Sequence, residues 1–111
     1  MDNTPYAAVE YILKNRKEYA AAKAKRVMLE EYRKSKKALL MKDALTKGVE
    51  AANAQEREAY SHPEYVALLE GLAAAIEQEE IIKWGMEAAR MKVDLWRTEQ
   101  ANERMLGKAT E

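Results

Sequence analysis

The chain has 111 residues, a length that corresponds to one domain. Its composition, 48% hydrophobic and 34% charged, argues against a disordered chain, and 19 Lys and Arg balance 19 Asp and Glu, which excludes a simple polybasic or polyacidic protein. With no Cys and a single His, His62, a zinc site, an iron–sulfur cluster and a disulfide framework are not expected. Neither a signal peptide nor a membrane-spanning run is visible, so we expect a cytoplasmic protein, or one of the host cytoplasm if it is encoded by a phage.

The residues that begin helices predict two long helices. Few glycines, no Phe and an abundance of Ala, Glu, Lys, Leu, Arg and Met are typical of helical proteins. Thr4 and Pro5 read as an N-cap followed by proline at the first helical position. Ser61 and Glu64 have the spacing of a capping box, which predicts a second helix start.

The residues that end helices predict where these two elements stop. A break is expected at Lys47–Gly48, and Gly107 is placed to close the second helix. The predicted elements are helix one at about 5–47, a connector helix at about 49–60, and helix two at about 62–106, all within one domain, 1–111. We therefore expect an all-α fold, an antiparallel helical hairpin that resembles a coiled coil.

Helix two carries apolar residues at alternating steps of four and three, the spacing of coiled-coil packing. We call this set the first seam: Leu68, Leu72, Ala75, Glu79, Ile82, Met86, Ala89, Val93 and Trp96. Glu79 is its one charged member, and we interpret it as a polar break that fixes register or oligomer state.

A second apolar set runs beside the first. We call it the second seam: Ile81, Trp84, Ala88, Met91 and Leu95. One partner helix needs one narrow stripe, so two stripes indicate burial on more than one side. We expect a homo-oligomer that is built through the second seam. The alternative is a monomeric three-helix bundle in which 49–60 folds back over that seam.

Helix one has a weaker seam, in which three positions are charged. Its members are Leu13, Lys17, Ala20, Ala24, Val27, Glu31, Lys34, Ala38, Met41 and Leu45. Residues 1–47 hold twelve Lys and Arg against six Asp and Glu, whereas residues 48–111 hold seven against thirteen. The neutral total therefore conceals a basic first helix and an acidic second helix.

Many of the basic side chains of helix one fall within about a third of its circumference when they are plotted at 100° per residue. We call this set the basic stripe: Lys25, Arg26, Arg33, Lys36, Lys37 and Lys47. It lies opposite the apolar edge predicted above, and a linear basic face of this kind matches a phosphate backbone. The alternatives are a solvated face and pairing with the acidic second helix.

The sequence offers little for catalysis. His62 lies at the start of helix two, and Glu79 and Glu80 are adjacent, so their side chains point about 100° apart on a helix. An E-x-x-H motif and a glycine-rich phosphate loop are both missing from the sequence. We expect no catalytic residue, no metal site and no cofactor, and therefore a protein that is not an enzyme.

The order of features over about 25–100 is similar to that of a known family. The segments concerned are Arg26–Leu29, Lys36–Leu40, Glu56–Tyr60, His62–Tyr65, Ala73–Ile76, Met91–Asp94 and Trp96–Thr98. They resemble the small helical recombination mediators of tailed phages, the UvsY type, and related small phage hairpin proteins. This resemblance implies a ring-like homo-oligomer that binds single-stranded DNA and helps to load a recombinase onto strands covered by a single-strand binding protein. It also implies a DNA-binding role for Arg57, although Gln55 stands where a second basic residue belongs.

Two functions follow as hypotheses. The first is a recombination accessory protein that presents the basic stripe to single-stranded DNA as an oligomer. The second is a protein-binding helical module, a phage inhibitor of a host factor or an adaptor to one, that docks through the acidic second helix.

Overall fold

The computed structural model describes residues 4–110 and contains three α-helices. These are α1 (Pro5–Thr46), α2 (Ala52–Ser61) and α3 (Pro63–Thr110). The long helices α1 and α3 pack against each other, so the predicted all-α helical hairpin is confirmed. The predicted domain also includes residues 1–3 and 111, which lie outside the described residues.

The start of α1 is capped as its sequence predicts. The Thr4 hydroxyl oxygen accepts a hydrogen bond from the Ala7 backbone N–H at 3.3 Å. Pro5 is the first helical residue, where its missing N–H leaves no helical bond unmade. Thr4 therefore satisfies one of the amides that the first turn cannot satisfy itself.

The break at Lys47–Gly48 is also confirmed, and it has the geometry of a Schellman motif. Gly48 has φ +100°, a conformation that L side chains rarely adopt. Its N–H donates to the Leu45 carbonyl at 3.0 Å, and the Val49 N–H donates to the Ala44 carbonyl at 2.9 Å. These two bonds satisfy carbonyls of the last turn and end α1 at Thr46.

The predicted capping box at the start of α3 is wrong. Ser61 is the last residue of α2, and its hydroxyl donates to the Arg57 carbonyl at 2.7 Å. The cap is instead His62, whose Nδ1 accepts from the Glu64 N–H at 3.1 Å. Pro63 explains the difference, because a residue before proline is held in an extended conformation, and His62 has φ −66° and ψ 133°.

The predicted stop at Gly107 is wrong as well, because α3 continues through it to Thr110. A glycine stop needs a positive φ, and among residues 4–110 Gly48 alone has one. The residue after the glycine explains the contrast. Val49 follows Gly48 and is half-buried, whereas Lys108 follows Gly107 and supplies no apolar contact to hold a turn.

The chain divides into two compact units, each containing a segment of both long helices. One unit comprises residues 1–20 and 80–111, and the other comprises residues 21–79. In the second unit, Leu40 of α1, Ala59 of α2 and Tyr65 of α3 form a buried cluster against which Met41 packs. In the first unit, Ala8, Ile82 and Ala89 are buried.

Within α3 the first seam is the inward face. Leu72, Ala75, Glu79, Ile82 and Ala89 are buried. The other members are half-buried except for Trp96, which is exposed. The heptad prediction for helix two therefore identified its packed side.

The seam predicted for helix one is wrong, since Leu13 and Leu45 are each 52% exposed and Val27 is exposed too. The inward stripe of α1 is rotated around the helix and keeps the alternating spacing from Ala8 to Leu29. Its buried and half-buried members are Ala8, Ile12, Asn15, Tyr19, Ala22, Arg26, Leu29, Lys36, Leu40 and Ala44. This stripe contains two cations, so a search for apolar residues alone selects the wrong side.

Candidate functional site

Arg26 of the basic stripe points inward, where it meets Glu79 of the first seam. Its Nη2 donates to Glu79 Oε1 at 3.1 Å, its Nε donates to Glu79 Oε2, and its Nη1 donates to Glu30 Oε2 at 3.1 Å. Hydrogen bonding to Glu79, and then to Glu30, raises the pKa of Arg26. Glu79 is only 6% exposed, so Arg26 supplies the counter-charge of a buried carboxylate.

Lys36 and Lys37 are half-buried and also paired within the chain. Lys36 Nζ donates to Glu64 at 2.9 Å, which raises the pKa of Lys36 and lowers that of Glu64. Lys37 Nζ donates to Glu56 at 3.1 Å and lies 4.7 Å from the centre of the Tyr60 ring. Interaction with Tyr60, followed by that with Glu56, raises the pKa of Lys37.

These pairs correct the placement of the basic stripe on one outer face. Arg26 and Lys36 bind carboxylates of α3, as the alternative of pairing with the acidic second helix requires. Lys37 binds Glu56 of the connector α2. These three pairs offset part of the charge difference between the two long helices. Residues 21–79 alone carry ten Lys and Arg and ten Asp and Glu.

The remaining members, Lys25, Arg33 and Lys47, are exposed, and so is Arg57 of α2. None of these four cations has an ion pair with another described residue. Arg33 also borders an open cleft of about 360 Å³ that is lined by Lys34, Lys37, Tyr60 and Tyr65.

The second seam is an exposed apolar surface on α3. Ile81, Trp84, Met91 and Leu95 are 57–61% exposed, and Ala88 is exposed as well. The connector helix α2 packs through Ala59 against Leu40 and Tyr65, within residues 21–79.

The polar atom of the Trp84 side chain is hydrogen-bonded within α3. Its indole N–H donates to the Glu80 carboxylate one turn earlier at 2.9 Å. Lys83 Nζ lies 5.7 Å from the centre of the indole ring. Since the indole N–H already has a hydrogen-bond partner, a second apolar surface can cover the ring without leaving a buried donor unpaired.

Gly85 lies beside the second seam, and sequence reasoning missed its role. A Cβ at this position would lie 2.5 Å from the Tyr11 hydroxyl oxygen, so a larger residue here would require the exposed Tyr11 side chain to shift. Next to this contact is an open cavity of about 210 Å³, lined in part by Ala88 and Lys92. The close approach depends on the placement of Tyr11 against α3, which the local pattern around Gly85 does not reveal.

Among residues 4–110 there is no group of three or more His, Asp or Glu side chains placed to hold a metal ion, and no helix long and apolar enough to cross a membrane. The one histidine, His62, caps α3. Comparisons with protein-family models, with curated proteins and with solved structures return no match.

Proposed function

We propose that this chain is a non-enzymatic helical interaction protein of the cytoplasm that works as a homo-oligomer assembled through the second seam. The observation that carries the proposal is the exposure of Ile81, Trp84, Met91 and Leu95 at heptad spacing on α3. Folded monomers rarely expose apolar patches of this extent unless the patch is an interaction site.

The heptad spacing of the second seam indicates that its partner is another helix. Apolar residues at alternating steps of three and four accept another helix with the same spacing, since knobs of one helix enter holes of the other. The exposed side chains of the seam offer on the order of 500 Å² of surface per copy. Two copies therefore bury about 1,000 Å² in total, near the lower bound of specific interfaces.

The test is the molar mass of the purified chain by light scattering, for the wild type and for the double variant Met91→Lys/Leu95→Lys. We expect a mass that is a multiple of 12.7 kDa for the wild type and a single chain for the variant. The matched control is Val9→Lys/Leu13→Lys, which adds the same charge to exposed apolar residues of α1 in the same unit. A wild type of one chain mass at every concentration, or equal dissociation in the control, would contradict the proposal.

A second candidate function is the binding of single-stranded DNA as an accessory to a recombinase or a single-strand binding protein. It is favoured by the exposure of Lys25, Arg33, Lys47 and Arg57 without ion pairs among the described residues. Each chain offers few phosphate contacts, so binding would be weak for one copy. An oligomer would multiply these contacts and bind by avidity.

The structure changes which substitutions test this candidate. Reversal of Lys36 and Lys37 would break contacts inside the hairpin, so Lys25→Glu/Arg33→Glu is the informative variant. Anisotropy of a labelled single strand should show loss of binding relative to the control Arg16→Glu/Lys17→Glu, and a shallower dependence on salt between about 50 and 200 mM. Equal binding by both variants, or no binding by the wild type, would exclude this function.

A further inference from the structure

The second seam continues beyond Leu95. Because α3 is helical through Gly107, the alternating steps extend to Thr98, Asn102 and Met105, all of them exposed. Met105 is 71% exposed. The extended seam, 81–105, covers about three and a half heptads, a length that indicates a coiled coil. In heptad notation, Ile81, Ala88, Leu95 and Asn102 occupy a positions, and Trp84, Met91, Thr98 and Met105 occupy d positions.

We propose that two copies of this chain pair through the extended seam of α3 in parallel orientation and in register. The inference rests on the proposed self-association and names its geometry. The charged positions that flank the seam and the polar residue within it carry the argument.

In a parallel pair, each g position meets the e position five residues later on the other helix. This register places Glu87 opposite Lys92 of the second copy, and the same contact occurs twice by symmetry. Lys92 is exposed and has no ion pair with another described residue, so it can accept this partner. Glu87 is bound to Arg90 of its own helix at 2.7 Å, which leaves its second carboxylate oxygen for Lys92.

In an antiparallel pair, g positions meet g positions and e positions meet e positions instead. The g positions along the extended seam are Glu80, Glu87, Asp94 and Ala101, and every antiparallel register that buries the whole segment from Ile81 to Leu95 places at least one carboxylate opposite another. The parallel register has one unfavourable contact of its own, between Asp94 and Glu99 of the second copy. It offsets this contact with the pairing of Glu87 and Lys92, which the antiparallel registers lack.

Asn102, a polar residue within the extended seam, also favours the parallel pair. In the parallel, in-register pair it lies opposite Asn102 of the second copy, and the two amides can hydrogen-bond to each other. A single buried Asn at an a position is a known determinant of register and oligomer state. In an antiparallel pair it would instead lie opposite Trp84 when Ile81 faces Met105, and opposite Glu77 or Glu70 in the registers shifted by one or two heptads, so it would not meet a second amide.

The experiment uses the absence of native cysteine from the chain. Thr98→Cys places a thiol at a d position, where a parallel pair holds the two Cα atoms within disulfide range. The control is Arg97→Cys, an exposed neighbour that points away from the seam. Under mild oxidation at micromolar protein, we expect Thr98→Cys to form a disulfide dimer on the order of 100-fold faster than the control, because pairing raises the effective thiol concentration to the millimolar range.

Two outcomes would overturn the parallel geometry. Equal rates for Thr98→Cys and Arg97→Cys would show that position 98 does not face its own copy. Preferential cross-linking in a mixture of Thr98→Cys with Ala74→Cys, Ile81→Cys or Ala88→Cys would show antiparallel pairing, because these a positions face position 98 in the antiparallel registers. In either case, an oligomeric mass for the uncross-linked wild type would leave the proposed self-association intact, whereas a single-chain mass would remove both proposals.

Discussion

Arg26 and Glu79 show how one side-chain pair decides which way a helix faces. Glu79 lies among apolar residues of α3 and is buried. A buried carboxylate without a partner would destabilise the fold, because its charge would lose its hydration. Arg26 reaches both of its carboxylate oxygens from α1 and holds Glu30 as well. A cation on the inward stripe of α1 is therefore a structural element of the hairpin.

We predict a strong coupling between these two side chains. Arg26→Met should destabilise the hairpin, because it leaves the Glu79 carboxylate buried and unpaired, and Glu79→Leu should have a smaller effect. The double variant Arg26→Met/Glu79→Leu should recover most of the loss, since no buried charge remains. Urea unfolding of the four proteins measures this cycle. Additive losses in the double variant would show that the pair is not coupled.

At the scale of the elements, the sequence predicted the buried face of a helix correctly where that face is apolar, and wrongly where it contains charged residues. The first seam of α3 is apolar apart from Glu79, so its periodicity predicted the packed side. The inward stripe of α1 includes Arg26 and Lys36. In a sequence, a cation predicts an exposed position unless the carboxylate that pairs with it is known. The carboxylates of Glu64 and Glu79 come from the second helix, so no local pattern in helix one could reveal them.

The pair of Lys36 and Glu64 predicts how the packing of α1 on α3 depends on pH. The hydrogen bond from Lys36 lowers the pKa of Glu64 from its ordinary 4.5, so its contribution to stability is complete above that value and is lost as the pH falls below it. The pKa of Lys36 is raised from 10.5, so its contribution is lost only as the pH rises beyond that value.

The measurement is the urea midpoint of the wild type and Glu64→Gln between neutral pH and pH 3. Their difference should be largest near neutral pH and should shrink in acid. Glu70→Gln, at an exposed position of α3 without an ion pair among the described residues, is the control and should show a smaller change with pH. A difference for Glu64→Gln that is independent of pH would contradict the account.

At the scale of the whole molecule, charge and apolar surface have separate roles. Three cations of the basic first helix, Arg26, Lys36 and Lys37, pair with carboxylates of α2 and α3, which leaves them less available to DNA than the exposed members of the basic stripe. The second seam, in contrast, remains exposed along α3. The central claim is therefore that this seam is where one copy of the chain meets another.

Trp84 reports on that claim most directly, because it lies within the second seam and Trp96→Phe makes it the only tryptophan. We would follow its emission while the protein is diluted, with far-ultraviolet circular dichroism as a check on helicity. The account predicts a blue-shifted spectrum at high concentration that moves to the red on dilution while the helicity is retained. A spectrum typical of solvent-exposed tryptophan at every concentration would show that the seam stays open to water, and would contradict the account.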